Sequence, residues 1–544
     1  MAGFEHSVDG NAPGGPPRPR SRIGAAALRL ADLPAAVGAG GAMAAAYFAG
    51  PSLATAALLL CGMAMAAWSF QRQAGRRRWA SLALTLILWQ AGGMGWITAV
   101  LAPELAGAER LGATVLLFLL LWALSLGSLM LLAAGAHHLL AGRRAEVLAL
   151  PLAWWAWMAA RDFCWWGGGY GSLSLPLLGL PGLSTWLPLL GQALFEALLW
   201  AALLALTRPR RHPDTAPPRT TTARRAAGAA VLTTALLCPA PWTWTAPAGE
   251  GLSVAAVATP AQAAGPSHWT RQARDEALDA MHRAIRLAPA GSLVVTPEVF
   301  LPEPPPPDAQ GVWGDLLAAL EARHQRLLLG TALPHPETST PALMNVALLL
   351  TPQQGGGISS SIYAKQRMAP VGEELPWPAL LTPFSDRWLN HARRAGRRVG
   401  LPSLAEPLVV DGTTIGVLLC HEVAFGDLPA SAAESLVHMA SDHWSDDPRS
   451  ARQALGLARL RAVESGKWLL SVSEGQATQL VDPQGQARPA LAVDRLPARH
   501  GLTPFIRWRE LQPAAPVALL AALLLASRRS RPAASLPALA GSPP

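Results

Sequence analysis

Long apolar segments fill the first 245 residues of the chain, and they limit its fold more than any other feature of the sequence. Just over half of the 544 residues are hydrophobic and only 15% are charged, which favours a membrane protein over a soluble one. A helix needs about 20 mostly apolar residues to cross a bilayer. On that criterion the sequence predicts seven membrane helices near 31–49, 52–70, 80–102, 112–136, 146–160, 184–206 and 226–245, and a shorter eighth near 514–526.

The arginines lie mostly in the short segments between these apolar stretches. They cluster before the first predicted helix and after the second, fourth, sixth and eighth, for example at Arg76, Arg77 and Arg78. Because basic loops remain on the cytoplasmic side, this alternation predicts cytoplasmic termini and places the segment after the seventh helix outside the cytoplasm. These loops account for the net charge of +9, so nucleic acid is not a predicted partner.

Residues 250 to 510 mix polar, charged and apolar positions as a globular domain does. Short strand-like runs alternate there with two long helical ones, a pattern typical of an α/β layered domain. The first 23 residues are rich in Gly, Pro and Arg and lack the apolar core of a signal peptide. We predict a disordered cytoplasmic tail at 1–23, a membrane domain at 24–245, a linker at 246–266, a catalytic domain at 267–512, a last membrane helix at 513–527 and a cytoplasmic tail at 528–544.

Three apolar, strand-like runs in the second half end on chemically different polar groups. GVLLCHEVAF delivers Cys420, SLVVTPEVFLP delivers Glu298 and SSSIYAKQRMAP delivers Lys365. Cys420 is the single cysteine of the soluble half, so it has no partner there for a disulfide. An inert buried cysteine is one interpretation, and a nucleophile flanked by a carboxylate is the other.

The chemistry that these residue types permit is acyl transfer through a thioester. A thiol is only a few per cent thiolate near neutrality, so it needs a base, and Glu298 is the natural candidate. Lys365 would place a positive charge where a tetrahedral oxyanion develops. Glu373 and Glu422 would orient the lysine or the base, and simple structural hydrogen bonding is an equally good interpretation of both.

The spacing of the second run resembles one family in particular. YAKQRMAPVGEELP matches the Tyr-x-Lys, Pro, Gly-Glu and Pro pattern of the apolipoprotein N-acyltransferase family, the membrane-bound branch of the nitrilase superfamily. Shorter matches occur in the family's order: Pro-Glu-x-x-x-Pro at 297–302, Cys-x-Glu-x-x-Phe at 420–425, Asp-x-Trp at 442–444, Arg-Ala-x-Glu at 461–464 and Thr-Pro-aromatic at 503–505. We interpret Arg461 and Glu464 as an intramolecular ion pair.

This resemblance implies a multi-pass α-helical membrane domain joined to an extracytoplasmic nitrilase-like α/β domain, an α-β-β-α sandwich. The catalytic residues implied are Glu298, Lys365 and Cys420, and the supporting ones are Glu373, Glu422 and Tyr363. The implied reaction moves an acyl chain from a phospholipid donor to the N-terminal diacylglyceryl-cysteine of a lipoprotein acceptor. It would take place at the periplasmic face of a bacterial inner membrane. No cofactor is implied, and we expect a monomer.

The substrate cleft departs from the family at several positions. Thr296 precedes Pro297 where the family usually has Trp, and SVSEG at 471–475 stands where a Thr-Asn-Thr-Gly run is usual. No metal site is predicted, because the histidines are not spaced with other ligands. The candidate cleft residues are Ser441, Trp444, Ser473 and Glu474, together with Trp166 and Tyr170 of an outer loop, where interfacial aromatic residues are expected in any case.

Two other functions stay open from the sequence. A diverged relative, such as the conjugal-transfer TraB-like membrane proteins that carry a nitrilase-like domain, would serve plasmid transfer or envelope assembly. A membrane-tethered amidase would use water in place of the amine as acyl acceptor. The altered 471–475 segment favours these two, whereas the complete predicted topology and the intact second motif favour the N-acyltransferase.

Overall fold

The structure is a computed structural model of the full chain. The described residues, to which the statements below apply, are 33–48, 50–96, 107–163, 169–208, 219–240, 243–257, 270–301, 303–306, 311–336, 342–353, 357–370, 373, 397–398, 400–426, 432–441, 447–474 and 477–529. The tail predicted at 1–23, and all but the first two residues of the tail predicted at 528–544, lie outside them.

Helices take the places that the apolar segments predict. The first seven are α1 (Leu33–Phe48), α2 (Leu53–Arg72), α3 (Arg76–Met94), α4 (Gly107–Leu140), α5 (Ala149–Phe163), α6 (Leu183–Leu206) and α7 (Arg219–Leu237), and another helix covers Ala515–Arg529. Among the described residues, three stretches are long and apolar enough to span a bilayer: Leu53–Arg72, Ala123–Leu140 and Leu183–Leu206. A pair bent by 71°, Pro504–Leu511 with Ala515–Ser527, would make a fourth. The other helices, which the sequence also predicts as spans, are too short or too charged to meet the same criterion.

The membrane helices pack closely through small residues and buried tryptophans. A Cβ at Gly62 of α2 would lie 2.8 Å from the Ala39 carbonyl oxygen, so glycine allows α1 to approach. The Trp154 ring of α5 lies with its centroid 5.8 Å from that of Trp89 in α3 and 5.7 Å from that of Trp200 in α6. The same hydrophobic cluster continues into the soluble half, so the two halves share a core.

The soluble half contains two large β-sheets. Its strands are β1 (Ala246–Pro247), β2 (Leu252–Ala256), β3 (Leu293–Val295), β4 (Arg326–Pro334), β5 (Ala342–Pro352), β6 (Ile358–Ala364), β7 (Arg397–Arg398), β8 (Leu408–Val410), β9 (Thr413–Leu419), β10 (Ser435–Ser441), β11 (Leu469–Glu474), β12 (Gln479–Val481), β13 (Ala487–Pro489), β14 (Asp494–Leu496) and β15 (Arg499–His500). One sheet has the order β14-β2-β3-β4-β5-β6, with β7 also paired to β5, and the other has the order β13-β12-β11-β10-β9-β8. The short strands β1 and β15 pair separately.

Side chains from both large sheets meet in one core, and helices pack against each sheet. Helices α8 (Arg271–Leu287) and α9 (Val312–Ala322) pack against the first sheet, and α10 (Pro448–Ser465) packs against the second. Helix α11 (Pro504–Trp508) contacts α6, and α12 (Ala515–Arg529) packs against α4 and α5 of the membrane domain. Successive side chains of a strand point to opposite faces. Leu293 and Val295 therefore join the core between the sheets, whereas Val294 joins the cluster formed with α8 and α9. On the second sheet, Leu418 and Leu436 pack in one cluster with α10.

The linker predicted at 246–266 contains a strand of the first sheet. β2 pairs with β3 in parallel and with β14 in antiparallel orientation, and Val254 in its centre is 1% exposed. The sequence predicts that the catalytic domain begins at residue 267. In the structure its first sheet already includes Leu252–Ala256. The run GLSVAAVATPAQAAG resembles a linker because its small residues weaken the strand signal, whereas in the structure its segment Leu252–Ala256 lies between two neighbouring strands.

Candidate functional site

Glu298, Lys365 and Cys420 each follow a strand of one of the two sheets. Strand β3 runs parallel to β4, and β6 reaches the same direction through two antiparallel steps, so Glu298 and Lys365 emerge at the same edge of the first sheet. Cys420 follows β9 of the second sheet directly. The structure brings the three segments together: Lys365 contacts Glu298, and Glu422 of the turn that begins at Cys420 accepts a hydrogen bond from the amide of Gln366, the residue after Lys365.

The turn that carries Glu298 is strained and tightly packed. Val299 adopts a φ of 45°, in the left-handed region that a β-branched residue rarely enters. Gly330 of β4 lies against this turn, and a Cβ there would sit 2.0 Å from the Pro297 carbonyl oxygen. Because such strain persists only where the surrounding structure enforces it, the turn holds the buried Glu298 side chain in one place.

Lys365 lies between two carboxylates. Its side chain is fully buried, and Nζ donates to Glu298 Oε1 at 2.9 Å and to Glu373 Oε1 at 2.8 Å. Asn345 of β5 joins the same two groups, because its Nδ2 donates to Glu298 Oε1 at 3.1 Å and to Glu373 Oε1 at 2.7 Å. The predicted triad members Glu298 and Lys365 and the predicted supporting residue Glu373 thus form one cluster.

The electrostatics of this cluster keep the lysine charged. Burial by itself lowers the pKa of an ammonium group. The pKa of Lys365 is nevertheless raised well above its usual value, because the nearby carboxylates outweigh burial and the Cys420 thiol acts in the same direction. A positive charge in a site that excludes water stabilises a developing oxyanion far more than it would in solution.

Cys420 sits at a sharp bend between β9 and the turn Cys420–Ala424. It adopts a φ of 49°, and its side chain is partly exposed while the strand before it is buried. A left-handed residue at a strand end projects its side chain away from the sheet instead of into it. Its partial exposure sets Cys420 apart from the buried strand that precedes it.

Glu422 ties this bend to the loop that follows β6. Its Oε2 accepts hydrogen bonds from the Tyr363 hydroxyl at 3.0 Å and from the Leu419 amide at 2.8 Å, and its Oε1 accepts one from the Gln366 amide at 2.6 Å. Burial raises the pKa of Glu422 to about 7, and these donors oppose the rise. The contacts support a positioning task for Glu422 and Tyr363 rather than direct chemistry.

Two polar residues of the site lie inside apolar strands and belong to no motif. One is Asn345, already described. The other is His438 of β10, which is 1% exposed and holds Nδ1 at 2.9 Å from Ser471 Oγ. Burial lowers the pKa of His438 to about 4, although its contact with the Cys420 backbone opposes this, so the ring is neutral at pH 7. The signal in the sequence is one polar letter in an apolar run, as in ALMNVALLL and SLVHMA.

Part of the candidate cleft lies at the ends of β10 and β11. Ser441 and Glu474 are partners in the parallel register, and Ser441 Oγ donates to Glu474 Oε2 at 2.9 Å. Ser473 Oγ donates to the Glu474 carbonyl oxygen at 3.3 Å. The structure therefore brings these three together, while the predicted cleft residues Trp166 and Trp444 lie outside the described residues.

The segment that begins at Gly169, in the membrane domain, packs against the turn Cys420–Ala424. The Tyr170 ring stacks on His421, with centroids 5.3 Å apart and an angle of 11° between the planes. The Gly169 amide donates to the Ala424 carbonyl oxygen at 2.8 Å. Tyr170, a predicted cleft residue, thus contacts the residue that follows Cys420 in the chain. Within the described ranges, no three His, Cys, Asp or Glu side chains are grouped as metal ligands.

The chain is similar to enzymes named apolipoprotein N-acyltransferase. An apolipoprotein N-acyltransferase from Azotobacter vinelandii is 29% identical over 433 residues, which cover 73% of this chain and 76% of that protein. Enzymes of the same name from Pseudomonas aeruginosa and Pseudomonas putida are 28% and 27% identical over 71% and 67% of this chain. No family model matches the chain. These relatives confirm the resemblance that the motifs indicate.

Among solved structures, an amidase of the nitrilase superfamily from Nesterenkonia matches with 20% identity. It covers 50% of this chain and 98% of the amidase, at a TM-score of 0.30. The description of the fold therefore depends on the two sheets and their helices, and not on this match.

Proposed function

We propose that this chain, a relative of the apolipoprotein N-acyltransferases, has the activity for which they are named. In this proposal it moves a fatty acyl chain from a phospholipid, through a thioester on Cys420, to the N-terminal diacylglyceryl-cysteine of lipoproteins. The observation that carries the proposal is the buried Lys365 ammonium, held between Glu298 and Glu373 and electrostatically coupled to Cys420. The similarity to the named relatives over about 70% of the chain supports it.

In the first half-reaction, the Cys420 sulfur attacks the ester carbonyl carbon of the phospholipid. Glu298 takes the thiol proton as the carbon–sulfur bond forms. The carbonyl oxygen becomes an oxyanion that Lys365 stabilises. Collapse of the tetrahedral intermediate breaks the ester bond, and the leaving alkoxide of the lysophospholipid takes the proton from Glu298.

In the second half-reaction, the α-amine of the acceptor attacks the thioester carbonyl carbon. Glu298 removes a proton from the attacking amine, and Lys365 again stabilises the oxyanion. The carbon–sulfur bond breaks, the amide forms, and the proton passes from Glu298 to the departing thiolate. The enzyme returns to its starting state, so atoms and protons balance over the cycle without a cofactor.

The proposed setting is a bacterial inner membrane, with a multi-pass membrane domain, an α-β-β-α catalytic domain on the periplasmic side and both termini in the cytoplasm. The alternation of arginine-rich loops supports this orientation. Acyl donor and acceptor are both confined to the bilayer, and a catalytic domain that shares a core with membrane helices meets them there. We propose that a monomer suffices, because Glu298, Lys365 and Cys420 all come from one chain.

Complementation tests the proposal. A bacterium depleted of its own N-acyltransferase would receive this chain, and mass spectrometry would read the N-termini of its lipoproteins. We expect a third acyl chain with the intact protein and none with the Cys420→Ala variant produced at the same level. Lipoproteins that stay diacylated with the intact protein would overturn the proposal in favour of another acceptor.

A further inference from the structure

Helix α6 of the membrane domain is broken in its middle. Gly191 adopts φ 66° and ψ 168°, three residues after Pro188, and a second half-helix follows over 192–206. A break of this kind frees backbone amide and carbonyl groups, which must find other partners where water is scarce. A Cβ at Gly191 would lie 2.2 Å from the Phe505 ring, so the soluble half packs directly into the break.

The catalytic domain supplies partners on both sides of this break. Glu464 Oε1 accepts a hydrogen bond from the Gln192 amide at 2.8 Å, and the Trp508 indole donates to the Leu189 carbonyl oxygen at 2.9 Å. Arg461 Nη1 lies 3.0 Å from Glu464 Oε2, which confirms the ion pair expected from the sequence, and Nη2 also donates to Gln192 Oε1 at 3.0 Å. The carboxylate caps the positive end of the half-helix.

The ion pair also touches the segment just beyond the nucleophile turn, Cys420–Ala424. A Cβ at Gly426 would lie 2.5 Å from Arg461 Nη1, so a larger residue there would displace the guanidinium from its present position. Arg461 therefore stands between the start of the half-helix and the end of the 420–426 segment. We call this connection the first tether.

A second tether starts one turn further along the half-helix. Glu196 accepts hydrogen bonds from Ser172 Oγ at 2.6 Å, from the Ser174 amide at 3.0 Å and from Ser174 Oγ at 2.9 Å. These contacts fix the segment whose Gly169 amide binds Ala424. Two separate connections thus run from one half-helix to one turn.

We propose that the half-helix 192–206 positions the nucleophile turn relative to the bilayer. Gln192, Glu196, Arg461 and Glu464 act as positioning residues that touch no reacting atom. The ion pair and the carboxylate of Glu196 couple the membrane domain to Cys420, so that the thiol is presented to a bilayer-borne acyl donor. Only that last clause rests on the proposed function; the coupling itself does not.

Hydrogen exchange on the full chain in lipid nanodiscs tests the coupling. The variant Glu464→Ala removes the cap, and Glu464→Gln keeps an acceptor for the Gln192 amide while losing the charge. We expect Glu464→Ala to speed exchange about tenfold or more both in 189–196 and in 418–426, and Glu464→Gln to speed both by a smaller factor. Strand β4 serves as internal reference and should not change.

The matched control is Asp494→Asn, which weakens the ion pair between Asp494 and Arg488. This ion pair belongs to neither tether. The variant should leave both segments unchanged. Faster exchange in 189–196 alone would overturn the proposal, because loss of the Glu464 cap would then not reach the segment 418–426. An equal increase of the exchange rate in β4 would also overturn the proposal, because a general loosening of the protein would then explain the faster exchange in both segments. If Glu464→Ala does not fold, the same criteria apply to Glu464→Gln.

A functional measurement separates positioning from general damage. Cys420 would be acylated from phospholipid vesicles and, separately, alkylated by iodoacetamide in solution. We expect Glu464→Ala to slow acylation about tenfold and to change alkylation by less than about twofold. An equal loss in both would contradict a positioning role. If the unmodified protein takes no acyl chain at all, the proposed function fails, while the exchange experiment still decides the coupling.

Discussion

Two buried groups of charges lie near the nucleophile turn, and their composition differs. Around Lys365, one cation faces two carboxylates, Glu298 and Glu373. At the break in α6, Arg461 faces the single carboxylate of Glu464, and a backbone amide completes the site. The first group has one carboxylate more than it has cations, and a proposed general base is one of the two carboxylates. In the second group the two charges balance, and their fixed partners hold the geometry of the break.

Replacing Lys365 tests the first half of this comparison and should have the largest effect. Lys365→Met removes the charge that faces the oxyanion, so acylation of Cys420 should slow by about 10³-fold. It also leaves two buried carboxylates unpaired, which costs about 3–5 kcal/mol of stability. Acylation kinetics and thermal unfolding measure the two effects.

A second variant separates these consequences. Adding Glu373→Gln to Lys365→Met removes one of the unpaired carboxylates, so the double variant should recover part of the lost stability and none of the lost rate. If the acylation rate recovered together with stability, Lys365 would serve the fold and not the reaction. The group around Lys365 would then have the same structural task as the pair Arg461–Glu464.

The second prediction concerns Glu422, a buried carboxylate in the turn Cys420–Ala424. Burial raises its pKa from 4.5 to about 7. Between these values the folded state binds a proton that the unfolded state has lost, so stability falls as the pH rises through this window. The contribution is on the order of 3 kcal/mol. Thermal unfolding from pH 4.5 to 8 should show this slope in the unmodified protein and lose it in Glu422→Gln; identical slopes would refute the assignment.

The smallest predicted effect belongs to Asn345, which contacts Glu298 and Glu373 together. Asn345→Ala removes both hydrogen bonds and should lower kcat about tenfold or more, because the bond to the Glu298 carboxylate alone is worth about 1.5–3 kcal/mol. KM should change little. Gln325→Ala is the matched control, since that buried amide donates only to backbone carbonyls of the α8 end. It should lower stability and leave kcat unchanged. Equal kcat losses in both would make Asn345 merely structural.

Local patterns in the sequence predict the strands and the catalytic candidates well. The three strand-like runs that end at Glu298, Lys365 and Cys420 are strands β3, β6 and β9 in the structure, because short apolar runs bounded by polar residues have few alternatives. Glu298, Lys365 and Cys420 stand out since each breaks an apolar run at its end. Spacing within a motif survives where overall identity has fallen below a third.

Contacts between distant segments could not be predicted in this way. Gln192 and Glu464 are 272 positions apart, and neither belongs to a pattern that names the other. Asn345 is a single amide in an apolar strand. Its contacts with Glu298 and Glu373 become evident only in the sheet, where β5 lies beside β6. The strand β2 was hidden because its small residues resemble a linker until two neighbours bury them.

The central claim is that Cys420 carries the acyl chain, and mass spectrometry of the Cys420 peptide tests it most directly. Purified protein would be incubated with a phospholipid of defined acyl chains and no acceptor amine, then digested. We expect the Cys420 peptide to gain the mass of one acyl chain, to lose it in neutral hydroxylamine, and to show no such gain in Lys365→Met over the same time. An unmodified Cys420 peptide, or an acyl chain on any other residue, would contradict the account.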